Sequence, residues 1–229
     1  MIVDLSFPLI GSATLPADHA WPLFGAVAGV VPTVHGTGES SGAFGIHPIT
    51  GQQLPGRLLT LTAMSRLTVR TPVDRIAELL PLAGQPLDVA GSTLRCGPPE
   101  VRPLVPAASL RSRTVTIKLR DEPNSPETFT AAVRRQLDRL GVSAAIELPE
   151  RTAWSGESRT AQRTVAIKGI EVVGYEVRLQ QLSEADSLTV QEHGIGGRRS
   201  MGCGLFVPFE FDGFNAAKPE DSTAKGGAK

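Results

Sequence analysis

The chain has 229 residues with 23 basic and 23 acidic side chains, and this balance excludes an indiscriminate polycation that coats nucleic acid. Hydrophobic residues make up 41% of it, enough for a packed core, and no stretch approaches the ~20 apolar residues of a membrane span. The 24 glycines and 18 prolines favour many short strands joined by turns over a helical bundle.

Alternation of Ile2, Val3, Leu5 and Phe7 against polar neighbours predicts a first strand over 2–8. Asp18 is placed to cap a helix reaching Val31, with Trp21, Phe24, Ala28 and Val31 on one face and Pro32 beyond its end. The Gly/Ser-rich stretch HGTGESSGAFG reads as a loop leading to a short strand over 46–49. Residues 57–70 predict one strand or a hairpin. Thr71-Pro72-Val73-Asp74 predicts a capping box that opens a short helix through Ile76, Leu79 and Leu80. A hairpin around Gly91 follows, over 86–96.

Beyond a proline-studded connector, Pro98 to Pro106, the same order returns. A strand over 115–119 precedes a helix capped by Ser125-Pro126, with Phe129, Val133, Leu137 and Leu140 on one face and Gly141 as its stop. A strand over 144–148 comes next, then one or two strands over 163–181 turning at Lys168-Gly169. Ser183 with Asp186 caps a short helix ending at His193-Gly194, and a last strand is expected over 204–211. A βαββαβ order met twice predicts an α+β fold of two tandem ferredoxin-like (RRM-like) domains with a C-terminal glycine-rich loop. The expected boundaries are 1–97, a linker at 98–110, 111–212, and a polar tail at 213–229 that composition marks as disordered.

Eighteen of the 23 basic residues are Arg, whose planar fork suits phosphates and base edges, although a bias toward Arg codons gives the same imbalance. Sorted along the chain, the net charge is −2 over 1–100, +4 over 101–178, −3 over 179–212 and +1 thereafter. Cys96 and Cys203 lack metal-ligand spacing, so reduced thiols, a cytoplasmic location and no metal or cofactor are expected.

The densest local signal is Gly194-Ile-Gly-Gly-Arg-Arg-Ser-Met-Gly-Cys-Gly-Leu-Phe-Val-Pro208, which lies between a helix and an apolar strand. Glycines let a backbone approach a ligand closely, and Arg198 and Arg199 add donors suited to a phosphate backbone. A tight helix-to-strand turn with two solvated arginines accounts for the same residues. The loop is not a Walker loop, and Arg199 breaks a GxGxxG pattern.

With LPADHAWPLFGAV at 15–27, PTVH at 32–35, GIHPITG at 45–51, PEVRPL at 99–104 and VTIK at 115–118, that loop resembles the CRISPR repeat-processing endoribonucleases. These are the sixth of the Cas protein families, within the RAMP superfamily, and the likeness is greatest to their Myxan-type subgroup. It runs from about Val3 to Pro208. The resemblance implies an enzyme that cuts precursor CRISPR RNA within its repeats without a metal, leaving a 2′,3′-cyclic phosphate and a 5′-hydroxyl. It further implies retention on the repeat hairpin and mature guide RNA, in a type I surveillance complex with other Cas subunits and target DNA nearby. A non-catalytic RNA-binding or scaffold subunit of the same superfamily is the rival, and a small-ligand module a third reading.

Such a reaction needs a base for the 2′-hydroxyl, an acid for the departing 5′-oxygen and a cation for the phosphorane. His35, where the family's catalytic His usually lies, and His47 in GIHP are the catalytic candidates. His19 and His193 read as structural, at a helix start and a helix end. Tyr175, the only Tyr, lies in the second domain, so the His–Tyr pair of many relatives gives way here to His–His or to a His with Ser40 or Ser41. RNA contacts are expected from Lys118, from Arg151, Arg159 and Arg163 around Trp154, and from Lys168. The loop residues Gly194, Gly196, Gly197, Arg198, Arg199, Gly202 and Gly204 complete the expected RNA surface.

Overall fold

The computed structural model of the chain describes residues 1–11, 13–35, 44–119, 123–152, 158–160 and 162–210, with backbone alone at 151, 152, 158 and 159. Strand β1 (Ile2–Ile10) leads through β2 (Thr14–Pro16) to helix α1 (Ala20–Val30) and a 3-10 turn at Pro32–His35. Next come β3 (Gly45–Ile46), β4 (Gln52–Leu54), β5 (Leu58–Thr60) and β6 (Arg66–Pro72). The short helix α2 (Ile76–Leu79) then precedes β7 (Pro86–Val89), β8 (Ser92–Cys96) and β9 (Glu100–Pro103). The main sheet has the order β3-β6-β1-β8-β7, with antiparallel pairs. This places the first and third strands of a βαββαβ unit at the centre, as a ferredoxin-like sheet requires.

The second half repeats the plan with β10 (Leu110–Val115), α3 (Pro126–Leu140) and β11 (Ala145–Glu147). A small hairpin of β12 (Glu150–Thr152) and β13 (Ser158–Thr160) precedes the long hairpin of β14 (Gln162–Ile167) and β15 (Ile170–Gln180). Helix α4 (Glu184–His193), a 3-10 turn at Arg199–Met201 and β16 (Val207–Pro208) close it. Its sheet order, β11-β15-β10-β16, matches the first. Each half buries its own apolar cluster, one around Leu5, Phe7, Leu23, Val27 and Val69, the other around Phe129, Val133, Tyr175, Val177 and Phe206. Among the described residues no helix is long and apolar enough to cross a membrane.

Short-range signals hold where the partner is local. Ser125 Oγ accepts from the Thr128 amide at 3.3 Å, Gly141 ends α3 at φ 68°, and Ser183 Oγ accepts from the Asp186 amide at 3.1 Å. Ala90-Gly91 and Lys168-Gly169, all at positive φ, turn the two predicted hairpins.

Other expectations are corrected. Asp18 does not cap α1: its carboxylate accepts from the Ala166 amide on β14 at 2.8 Å, and the helix start has no side-chain cap. Thr71-Pro72 forms no capping box, because Pro72 pairs with Ile2 and keeps the segment in β6. Residues 57–70 split into β5, which joins a small β2-β5-β4 sheet, and β6; the turn between them is held by Ser65 Oγ, which accepts from the Thr62 amide and donates to the Thr50 carbonyl. The proline-rich connector supplies β9, which pairs with β1 from Val3 to Ser6. The last strand is only Val207–Pro208, and the tail lies outside the described residues.

Candidate active site

The site begins with the alternation of β1 and β6. Val3, Leu5 and Phe7, with Leu67 and Val69, fill the core, which turns Asp4, Ser6, Thr68 and Arg70 to the opposite face. The antiparallel register sets Asp4 beside Arg70, and the Arg70 Nε and Nη2 donate to the two carboxylate oxygens at 2.8 and 2.9 Å. Its Nη1 donates to the carbonyls of Gln191, at 3.0 Å, and Phe206, at 2.7 Å, both in the second half. Arg70 is 1% exposed, so this one buried guanidinium ties the two halves together through a paired charge and hydrogen-bonded carbonyls.

β3 pairs with β6 and delivers His47, whose amide donates to the Thr68 carbonyl at 2.9 Å. The His47 Nε2 lies 3.5 Å from Asp4 Oδ1, buried and without a hydrogen bond in this state. Burial pushes the imidazole pKa down, against the pull of Asp4 and with help from Arg70 and Arg199. Burial alone would raise the Asp4 carboxyl, but Arg70 and His47 outweigh it and hold the group far below the usual carboxylate range. Arg199 completes the cluster. Its Nη1 donates to the His193 carbonyl at 3.0 Å, its Nε is buried without a partner, and burial together with the Arg70 charge pushes the guanidinium down to about 10.

His47 and Asp4 line a cleft of about 400 Å³ between the halves, with Arg66, Arg102, Arg111 and Arg113 on its walls. A second cleft of about 310 Å³ shares Pro48, Arg113 and Gly202 with it and adds His19, Arg57 and Arg163. Each concavity carries three or four guanidinium groups against a single aspartate, a charge balance suited to a polyanion.

The glycine loop behaves differently from its sequence reading. A side chain at Gly194 would strike the Gly204 carbonyl, one at Gly204 the Ile195 carbonyl, and one at Gly202 the Pro48 ring. The Gly196, Gly197 and Gly204 amides donate to Gln136 Oε1 at 2.7 Å, Thr116 O at 3.0 Å and Thr114 O at 2.8 Å. These glycines fold the loop onto β10 and its extension, and these amides are spent within the protein. What the loop presents outward is Arg198, exposed and in the left-handed region at φ 64°.

The remaining candidates are scattered. His35 is exposed at the end of its 3-10 turn, its ring edge-on to Phe24 at 5.0 Å, and it lines neither cleft. Ser40, Ser41 and Trp154 lie outside the described residues, as do the side chains of Arg151 and Arg159, which pair across β12 and β13. Lys118 is exposed just past β10, and Lys168 sits 5.5 Å above the Trp21 ring. Arg163 bonds Glu176 at 3.0 Å and faces the second cleft. His19 is structural: Nδ1 donates to the Pro16 carbonyl at 2.9 Å and Nε2 accepts from the Ile49 amide at 3.0 Å. His193 Nδ1 bonds the Thr189 carbonyl at 3.0 Å, and Tyr175 is fully buried with its hydroxyl on the Asn124 carbonyl at 3.2 Å.

Sequence reasoning missed Asp4, Arg66, Arg70, Arg102, Arg111 and Arg113. A signal existed in the period-two alternation Arg66-Thr68-Arg70 and Arg111-Arg113 around buried residues. Arg102 lies in the PEVRPL stretch.

Two ferredoxin-like units joined in tandem around an arginine-lined cleft form a concave surface suited to a polyanionic ligand. A family model described as Cas6 Crispr matches residues 3–210. The chain is 39% identical over 209 residues to the CRISPR-associated endonuclease Cas6 of Myxococcus xanthus (strain DK1622), covering 91% of this chain and 82% of that protein. A Cas6-related protein from Pyrococcus furiosus shares the fold with a TM-score of 0.62 at 13% identity, over 92% of this chain and 99% of that one. A RAMP protein described as binding different RNA substrates gives 0.61 at 13% identity, over 91% and 100%. The chain belongs to the Cas6 family of CRISPR RNA-processing endoribonucleases.

Proposed function

We propose that the protein cleaves precursor CRISPR RNA within its repeats, without a metal, by attack of a 2′-hydroxyl on the adjacent phosphorus. The observation that carries this reading is His47, turned to Asp4 on the wall of an interdomain cleft lined by four arginines. Burial keeps that imidazole neutral at neutral pH, the form a general base requires. His35, exposed at the end of its turn and outside both clefts, is assigned the second acid–base role from the family resemblance and not from its position. The O–P bond forms as the 2′-proton leaves, and the P–O5′ bond breaks as the 5′-oxygen takes a proton. The products are a 2′,3′-cyclic phosphate and a 5′-hydroxyl. Arg199, close enough to His47 to act on its charge, is the cation this reading assigns to the phosphorane.

The repeat hairpin runs along the cleft, its phosphates met by Arg66, Arg102, Arg111 and Arg198, with Arg151, Arg159, Arg163, Lys118 and Lys168 extending the track. The enzyme stays on its product, the mature guide RNA, as a cytoplasmic subunit of a type I surveillance complex, with other Cas subunits and target DNA nearby. The RNA described as bound by a RAMP relative of the same fold supports an RNA ligand.

Labelled repeat RNA incubated with wild type, His35→Ala and His47→Ala tests the assignment. Each variant is expected to retain RNA binding and to lose at least about 100-fold in single-turnover rate, the scale of one general acid or base. Wild-type rates in both variants would remove the histidines from the chemistry.

A further inference from the structure

We infer that Asp4 is a positioning residue for His47, fixing the imidazole with Nε2–H toward the carboxylate and leaving Nδ1 as the nitrogen that takes the 2′-hydroxyl proton. The inference rests on the proposed role of His47 as general base and adds which ring nitrogen acts and what holds it. Four observations converge. The His47 Nε2 is buried, has no hydrogen-bond partner, and lies 3.5 Å from Asp4 Oδ1, a long separation of the kind that closes when substrate docks. Asp4 cannot swing away, because both its oxygens are held by Arg70. Arg70 in turn is fixed by two carbonyls of the second half. The imidazole lines the cleft while its Nε2 is turned inward, so Nδ1 is the nitrogen left for a ligand there.

The charges facing His47 come from three described elements and the cleft wall. Asp4 on β1 is the anion; Arg70 on β6 and Arg199 in the glycine loop are the buried cations, with Arg66, Arg102, Arg111 and Arg113 beyond them. In the step itself, the 2′-O–H bond breaks as Nδ1–H forms, the oxygen's electron pair makes the new P–O bond, and the imidazolium is balanced by the Asp4 carboxylate. Without that carboxylate the surrounding arginines disfavour the protonated ring. The coupling also makes the orientation of His47 depend on the docking of the two halves, since Arg70 spans them.

The test uses the full chain with ¹⁵N-labelled histidine, the His47 ring signals being assigned by their loss in His47→Gln. At pH 7 the wild type is expected to show a protonated Nε2 and an unprotonated Nδ1; the opposite tautomer overturns the inference without any variant having to fold. Asp4→Asn, checked by its Tm and its repeat-RNA Kd, is expected to cleave about tenfold or more slowly with Kd changed less than about twofold. The acid limb of its pH–rate profile is expected at lower pH, because the raising influence of Asp4 on the imidazole is gone. Wild-type cleavage by Asp4→Asn beside an inactive His47→Ala overturns the positioning role and leaves the base in place. Wild-type cleavage by His47→Ala overturns the base and the inference with it.

Discussion

Arg70 gathers four hydrogen bonds on one buried guanidinium, and its loss would strand a carboxylate and two carbonyls together. Arg70→Ala is therefore expected to cost about 3–5 kcal/mol, the usual penalty for breaking one side of a buried ion pair, read from the urea midpoint. Two histidines, buried His19 and half-buried His47, set a pH dependence. Burial pushes both His19 and His47 below the ordinary value of 6.5, so in the folded state they stay neutral where the unfolded chain takes up protons. Their contribution is complete above about pH 6.5 and is lost as pH falls toward the folded values. The urea midpoint is thus expected to drop between pH 7 and pH 5. His19→Ala is expected to flatten part of that slope while lowering stability at pH 7 by about 1–3 kcal/mol, because its two hydrogen bonds are removed. A midpoint independent of pH over that window would contradict the neutral rings.

At the scale of elements, the glycine loop shows how much packing can hide behind a ligand-like motif. Gly204→Ala puts a methyl into the Ile195 carbonyl at φ 68°, whereas a methyl on Gly197 meets nothing within 4 Å. The first change is expected to lower stability by about 1–3 kcal/mol and the second by less than about 0.5 kcal/mol, compared by thermal unfolding. Equal effects would mean the loop is not folded onto β10 as described. What could be read from sequence at this scale was whatever is closed within a few residues: the Ser125 cap, the Gly141 stop and the Lys168-Gly169 turn. Asp18 looked like a cap because its true partner, the Ala166 amide, is 148 residues away. Thr71-Pro72 did mark a helix start, since a 3-10 turn at Val73–Arg75 runs into α2, but Thr71 caps nothing because it lies in β6 opposite Val3.

At the scale of the molecule, the tandem duplication was legible because the strand and helix order is written twice along the chain, and each half closes its own sheet. The cleft was not. Its arginines come from β6, β9 and β10, and only sheet register and the docking of the halves bring them together with His47. The same geometry resolves the neutral composition. Zero net charge overall is compatible with a cleft whose lining carries four arginines and one carboxylate. Paired Arg66→Ala and Arg111→Ala substitutions are expected to weaken repeat-RNA binding and to lower the slope of log K against log salt by about one for each phosphate no longer neutralised. An unchanged slope would place the RNA elsewhere.

The proposed cleavage uses the RNA's own 2′-hydroxyl, with protein side chains alone supplying the catalysis. The most direct measurement compares repeat RNA with a copy deoxy at the single scissile 2′ position, both in excess EDTA. Cleavage of the all-ribose repeat to a cyclic-phosphate product, with the deoxy copy bound equally well and left intact, is the predicted result. Cutting of the deoxy copy, or loss of all-ribose cleavage in EDTA, would contradict it.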